Sequence, residues 1–261
     1  MEYNIILGGT GGLGKEVCKK LAKSGENLYI IARNQDKINL LIEEIKTVNC
    51  KINIKSHRLN LSNENEIINF FNLFNKEDKI CGLYLCSGVD IQKPFVNYSY
   101  EKIIMQTRVN YESCILFTKF AIENKAKSLK ILPISSMCGI LPMPYYAIYS
   151  SLKSALTSFY TSLRYELKKS GIKITILMPG SVPTRSDIIN DIKLQGLTGK
   201  LSSKPPKYVV DKAFKSLSKN KKICIPGFYN KVVYLVSNVT PKFIKMRVIS
   251  KKFSKKIKDA F

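Results

Sequence analysis

Tyr149 and Lys153 stand four residues apart in Tyr149-Ser150-Ser151-Leu152-Lys153. On a helix that spacing puts both side chains on one face. An ammonium beside a phenol favours the phenolate, which lowers the tyrosine pKa toward the working range of a general acid or base. Thirteen residues before Tyr149, Ser136 closes the apolar run that ends Ile134-Ser135-Ser136. A hydroxyl there is placed to hold a carbonyl oxygen while the tyrosine donates its proton. The chemistry these residues suit is proton transfer at a carbonyl or an alcohol. A YxxxK pair recurs by chance, so the weight falls on the three residues taken with what precedes them.

What precedes them is a glycine cluster, Gly8-Gly9-Thr10-Gly11-Gly12-Leu13-Gly14, between a short apolar run at 3–7 and a helical pattern through Leu21. Glycine allows the tight turn and lets backbone N–H groups approach a pyrophosphate at the helix N-terminus. The position, more than the composition, predicts a dinucleotide site. An acid about 20 residues on would hold the ribose 2′-hydroxyl of NAD. The chain instead reads Ile31-Ala32-Arg33-Asn34. Arg33 either merely closes a strand at the surface or reads a 2′-phosphate through charge-assisted bonds. The second reading makes NADP (NADPH) the expected cofactor.

These residues need a frame. Apolar runs at 3–7 and 28–32 and strand candidates at 52–59, 80–86, 129–134, 172–178 and 222–225 alternate with helical patterns at 36–48, 64–75, 100–124, 149–169 and 206–219. Runs apolar on both faces, separated by helices, predict a parallel sheet covered on both sides. The expected fold is α/β, a single doubly wound Rossmann-type domain over 1–228. Residues 184–206, with Gly196, Gly199, Pro205 and Pro206, read as a long substrate loop holding a short helix.

With glycine turn, strand-end serine and YxxxK pair in this order, the chain resembles the short-chain dehydrogenase/reductase family over about residues 3–185. Gly8, Gly12 and Gly14 match the family's GxxxGxG loop, and Asn110, Ser136, Tyr149 and Lys153 match its catalytic tetrad. Pro179-Gly180-Ser181-Val182-Pro183-Thr184 matches its PG motif, whose threonine meets the nicotinamide carboxamide. The resemblance implies about seven parallel strands in the order 3-2-1-4-5-6-7. It makes Tyr149 the acid/base, Lys153 the holder of the nicotinamide ribose, Ser136 the carbonyl-positioning group and Asn110 the holder of a relay water. Two motifs depart. The family's NNAG reads Leu85-Cys86-Ser87-Gly88, and the aspartate that meets the adenine amino group is Asn60 in Leu59-Asn60-Leu61. An amide oxygen can still accept that bond. By position, Ser87, Gly88, Asn60 and Leu61 join Pro179, Gly180, Val182 and Thr184 as expected cofactor contacts. A homo-oligomer joined through the helices at 100–124 and 149–169 is also implied.

The remaining residues bound the function. Ile140-Leu141-Pro142-Met143-Pro144-Tyr145-Tyr146 lies where the family lines its pocket. It either packs the loop or favours a hydrophobic ketone, aldehyde or alcohol. The expected activity is therefore NADP(H)-dependent interconversion of a carbonyl and an alcohol, mainly reduction of a hydrophobic or acyl-chain carbonyl. The rival is a non-catalytic NADP-binding scaffold or sensor, supported only by the altered NNAG. Seven cysteines without a CxxC pair and a single histidine, His57, supply no zinc set, so no metal is expected.

Scattered thiols suit a reducing, cytoplasmic chain, and no signal peptide or spanning helix shows in the sequence. Lys and Arg number 43 against 19 acids, for a net +24. From Lys193 onward there are 18 basic residues and two acids, Asp211 and Asp259. In the tail, 229–261, Met246, Ile249, Phe253, Ile257 and Phe261 fall on one helical face among Lys245, Lys251, Lys252, Lys255, Lys256 and Lys258. Such a basic amphipathic helix either packs on the body or meets an anionic membrane or acidic acyl carrier. No recognition module accompanies the charge, so nucleic acid is not an expected partner.

Overall fold

The computed structural model describes residues 1–253 and Asp259. Strands β1 (Glu2–Leu7), β2 (Leu28–Ala32), β3 (Ile54–Arg58), β4 (Lys79–Leu85), β5 (Lys125–Pro133) and β6 (Ile172–Ile174) form one parallel sheet in the order 3-2-1-4-5-6. The chain breaks register at Thr175, and β7 (Ile176–Leu177) pairs with β8 (Ile223–Cys224). The seventh strand expected at 222–225 is thus this short β8, joined to the continuation of the sixth strand.

Period-two alternation sends successive strand residues to opposite faces. Ile5, Leu7, Leu83 and Leu85 pack with Phe70 and Phe74 of α3 (Glu64–Leu73) and its C-cap, and with Phe117 of α5 (Ser113–Glu123) and Tyr160 of α6 (Ala147–Glu166). Ile6, Ile30 and Tyr84 face the other way. They meet Val17 and Leu21 of α1 (Gly12–Lys23), Leu41 and Ile45 of α2 (Gln35–Val48), and Ala213 of α9 (Pro206–Ser218). Both faces are covered, as runs apolar on both sides require.

The sheet order reverses between β1 and β4, whose last residues, Leu7 and Leu85, are register partners. In doubly wound sheets that reversal opens a crevice at the strands' carboxyl ends. Gly8 and Cys86 begin the two loops that line it.

The region expected to be a long loop is instead two helices, α7 (Ser186–Leu194) and α8 (Gly196–Ser202). Gly196, at φ +57°, makes the corner between them. A Cβ on Gly199 would sit 2.3 Å from the Ile192 carbonyl oxygen, so that glycine is there for close packing. The glycines that read as loop signals are joints.

Beyond β8, α10 (Phe228–Val239) and α11 (Lys242–Phe253) follow. Asn230 is buried and donates to the carbonyls of Ser202 and Pro226 at 2.9 and 2.8 Å. The first turn of α10 is therefore built into the body, and the boundary placed at 228–229 has no counterpart in the packing. Met246 and Ile249 are half-buried. Asp259 is ion-paired with Lys93 at 2.8 Å and with Lys102, which ties the tail back to the body. Ile257, Phe261, Lys255, Lys256 and Lys258 lie outside the described residues. No described helix is long and apolar enough to cross a membrane.

Candidate active site

A cleft of about 590 Å³ opens at the switch point. The glycine turn forms one wall. The amides of Gly8 and Gly9 donate to the Ile31 carbonyl, and the Gly11 amide to that of Gly8 at 3.0 Å. Gly8 has φ +72°, and a Cβ there would meet the Ser87 amide nitrogen at 2.8 Å. Gly14 lies against Gly8 from behind. Thr10, Gly11, Gly12 and Leu13 face the cleft. Helix α1 starts here with no side-chain cap and no acid in its first turn, an arrangement that favours an anion.

Opposite stand Ser87 and Gly88, with Pro179, Gly180, Val182 and Thr184 further along the lining. The Ser87 hydroxyl is buried without a hydrogen-bond partner. An orphaned hydroxyl facing an open N-terminus and a turn too tight for side chains fits a dinucleotide that would supply the missing partners. A Cβ on Gly12 would meet the Thr184 side chain at 2.3 Å, so the glycine turn and the PG segment nearly touch.

Ser136, Tyr149 and Lys153 lie on the far side of Gly88. Ser136 follows β5, and its hydroxyl oxygen accepts from the Cys138 amide at 3.1 Å. The neighbouring Ser135 hydroxyl donates to the Lys153 carbonyl at 2.8 Å and meets the Thr157 hydroxyl at 2.9 Å, locking the strand end to α6. Gly139 lets the short turn Met137–Ile140 press on α6, since a Cβ there would meet Lys153 backbone at 2.8 Å. The result brings the Ser136 hydroxyl close enough to Tyr149 to favour its phenolate. Tyr146 packs edge-on to Tyr149, with ring centroids 5.6 Å apart.

The electrostatics differ from the spacing argument. Burial pushes the Tyr149 hydroxyl well above its ordinary pKa, and Asp90 and Cys138 push the same way. Ser136 and Arg185 favour the phenolate without outweighing them. Lys153 lies 5.6 Å from the Tyr149 ring centroid, but its ammonium donates to the Ile134 carbonyl at 2.9 Å. Burial also holds the Lys153 ammonium below its ordinary value. The expected lowering of the tyrosine by the lysine is absent from this arrangement, because desolvation outweighs a charge directed elsewhere.

Asn110 is fully buried in a π turn, Arg108–Glu112, between α4 (Tyr100–Thr107) and α5. Its side chain donates to the carbonyls of Val89 and Gln106 and accepts from the Val89 amide. It pins the loop after β4, and its side chain is fully engaged in doing so.

Of the expected cofactor contacts, Gly8 and Gly14 sit behind the turn, and Arg33, Asn60 and Leu61 also stand outside the cleft lining. Arg33 is exposed at the tip of β2. One turn further on Lys37 does line the cleft, its amide bonded to the capping Asn34 side chain. The Asn60 side-chain oxygen, expected to meet adenine, already accepts from the Ser62 amide and hydroxyl. Its amide nitrogen is left as the group able to reach out. Leu61 is 6% exposed, and its side chain packs in the core.

The structure also adds a charged group that the motifs did not reveal. Arg185 bonds Asp187 through Nε and Nη2 at 3.0 and 2.9 Å, and Asp90 through Nη2 at 2.7 Å. Burial works against that guanidinium, yet Asp187 and Asp90 hold its pKa above the ordinary value. Asp90 and Arg185 line the cleft with Met143, Tyr146 and Ile188. The one signal in the sequence is that Arg185 is among only six arginines in a lysine-rich chain.

Fold and site together define a doubly wound α/β protein with a serine, a tyrosine and a lysine converging on one cleft beside a glycine turn. Residues 3–191 match the family described as short chain dehydrogenase, and the chain belongs to that family. It is similar to the very-long-chain 3-oxoacyl-CoA reductase of Mus musculus, 29% identical over 201 residues, 70% of this chain and 60% of that protein. The match thus spans three-fifths of the mouse protein's length. An 11-beta-hydroxysteroid dehydrogenase-like 2 of Arabidopsis thaliana is 27% identical over 92% of this chain and 78% of its own. Among solved structures, a 7beta-hydroxysteroid dehydrogenase superposes with a TM-score of 0.81 at 22% identity, covering 95% of this chain and 96% of that one. A Sphingobium yanoikuyae short-chain dehydrogenase in complex with NADPH superposes at 0.76, with 17% identity and all of both chains covered.

Proposed function

We propose that the protein is an NADP(H)-dependent oxidoreductase that interconverts a ketone or aldehyde and an alcohol, working mainly as a reductase of a hydrophobic or acyl-chain carbonyl. The observation that carries this reading is the convergence of Ser136, Tyr149 and the buried Lys153 on the cleft that the glycine turn lines. NADPH, when bound, supplies the hydride. Gly11, Gly12 and Leu13 would hold its pyrophosphate at the start of α1. Arg33, with Lys37, would take the 2′-phosphate by charge.

The chain's own residues place and polarise the carbonyl. Ser136, its oxygen oriented by the Cys138 amide, fixes the carbonyl oxygen beside Tyr149. A tyrosine held above its ordinary pKa stays protonated at neutral pH, which suits proton donation and so the reductive direction. Ser136 and Arg185 favour the phenolate left behind, while the Lys153 ammonium is held by the Ile134 carbonyl. An ammonium has three donors; with one on Ile134, two remain for a ribose diol. Asn110, through Val89, keeps the loop of Ser87 and Gly88 in place. The apolar lining of Met143, Tyr146 and Ile188 supports a hydrophobic body on the substrate, and the 3-oxoacyl-CoA and hydroxysteroid names of the relatives point the same way.

The test is Tyr149→Phe. The variant keeps the ring but loses the transferable proton, so turnover of a reducible ketone should fall by roughly 10²–10⁴-fold. NADPH binding should be largely kept. Near-wild-type turnover would overturn the assignment.

A further inference from the structure

A surface helix normally turns its apolar stripe toward the core. Helix α10 does the opposite. Its inward positions are polar: Asn230 is 2% and Ser237 7% exposed. Asn230 is bonded to the Ser202 and Pro226 carbonyls, and the Ser237 hydroxyl to the Tyr234 carbonyl. Its outward positions are apolar. Phe228, Val232, Leu235, Val236 and Val239 recur at helical spacing, with Phe228 82%, Leu235 64% and Val239 82% exposed. Phe243 of α11 and Leu201 of α8, 66% and 42% exposed, extend the patch at its two ends. Leu201, Lys204, Phe228 and Val232 share a shallow groove there.

Charge identifies what this face suits. From 194 to 253 the sequence holds 14 Lys plus Arg and one acid, Asp211, which is already paired with Lys20 and Lys207. An apolar face in a strongly basic segment disfavours a second copy of the chain, since pairing two such faces would juxtapose like charges. A bilayer with anionic headgroups satisfies both properties at once: hydrocarbon for the outward side chains and negative potential for the lysines. We propose that the outer face of α10, with Leu201 and Phe243, is a docking surface for an anionic lipid bilayer. The surface adjoins the cleft. Gln195 and Ser202 at the ends of α8 line the catalytic cavity, and Ser202 also receives the Asn230 bond. Docking would set the rim of the cleft at the lipid boundary. This proposal moves the contact from the tail's Ile249 to α10, and it stands whatever the reaction is.

The test is flotation of the full chain with phosphatidylcholine vesicles, with and without phosphatidylglycerol, at low and high salt. The paired variant Leu235→Asp with Val239→Asp changes two exposed side chains far from the reacting residues, so its melting temperature and NADPH affinity should match the parent. The parent should float with phosphatidylglycerol vesicles at low salt and detach as salt shortens the screening length to about 3 Å at 1 M. The paired variant should bind at least roughly tenfold more weakly, since two apolar side chains can no longer enter the bilayer. A parent that ignores these vesicles at low salt overturns the proposal. So does a paired variant that floats as well as the parent. A self-associating parent whose association the paired variant abolishes would assign the face to a second copy instead.

Discussion

Replacing Gly14 with alanine sets two known effects against each other at the point where the cofactor cradle is built. Gly14 is the third residue of α1, and in an open helix the exchange would stabilise by up to about 1 kcal/mol. Here the added Cβ would sit 2.2 Å from the Gly8 carbonyl oxygen and 2.9 Å from the Gly9 Cα. An ordinary carbon–oxygen contact is about 3.3 Å or more, so the turn must open by about 1 Å. Gly8 has no room to retreat, because its far side abuts the Ser87 backbone and its oxygen holds the Gly11 amide. Overpacking of this kind costs about 1–3 kcal/mol. The clash therefore outweighs the propensity gain, for a net loss of roughly 1–2 kcal/mol and a fall in melting temperature of about 2–8 °C. Moving the amides by that distance should also break at least one charge-assisted bond to a pyrophosphate. That loss is worth about 1.5–3 kcal/mol, or a rise in NADPH dissociation constant of roughly 10–150-fold. Calorimetry without cofactor reads the first effect and NADPH fluorescence titration the second. Gly25→Ala is the control: it strains a residue at φ +74° with open space around it, away from the cleft, so it should lower stability without touching affinity. Gly14→Ala with both quantities unchanged would refute the packing argument. A lowered melting temperature with unchanged affinity would show that the turn is not the cofactor's seat.

Arg33→Asp should reverse cofactor preference, because a carboxylate repels a 2′-phosphate and offers the NAD ribose an acceptor. Dissociation constants for NADPH and NADH on both proteins decide it, and an unchanged ratio would leave Arg33 as a surface residue. Asp90→Asn should move the pH dependence of alcohol oxidation to lower pH. The Asp90 charge disfavours the Tyr149 phenolate, and its removal leaves Arg185 to favour it, so the base forms earlier as pH rises. An inflection that stays put or moves up would show that Asp90 does not act on Tyr149.

The sheet and its covering helices were legible because central strands buried on both faces, such as β2 and β4, read as apolar runs between helical patterns. The glycine turn was legible because its position between β1 and α1 has a physical reason. Four things were not. Gly196, Gly199, Pro205 and Pro206 read as loop signals, yet Pro205 and Pro206 sit at the start of α9, where a missing N–H is harmless. The Asp90–Arg185 pair joins residues 95 apart, and no local pattern announces such a contact. For Lys153 the spacing places the side chain on the face of Tyr149, but the direction of its ammonium depends on where the Ile134 carbonyl ends up. The inversion of α10 was hidden for a related reason. A run such as Phe228-Tyr229-Asn230-Lys231-Val232-Val233 has helical periodicity, but periodicity does not say which face the body takes.

The distribution of charge separates the molecule's two surfaces. The chain carries +24, and at the cleft Asp90 and Asp187 both engage the Arg185 guanidinium, with Asp191 on the same lining. The guanidinium there is already committed to two carboxylates. Positive character lies elsewhere, at Arg33 and Lys37 near the adenosine end and in the basic C-terminal segment that carries α10. An anionic cofactor and an anionic surface would each meet basic residues, while the space between Ser136, Tyr149 and Met143 suits an uncharged carbonyl on an apolar body. Neutral substrates of that kind partition into bilayers. On the proposed docking, a basic, apolar face beside the same cleft would place the enzyme where such molecules are concentrated.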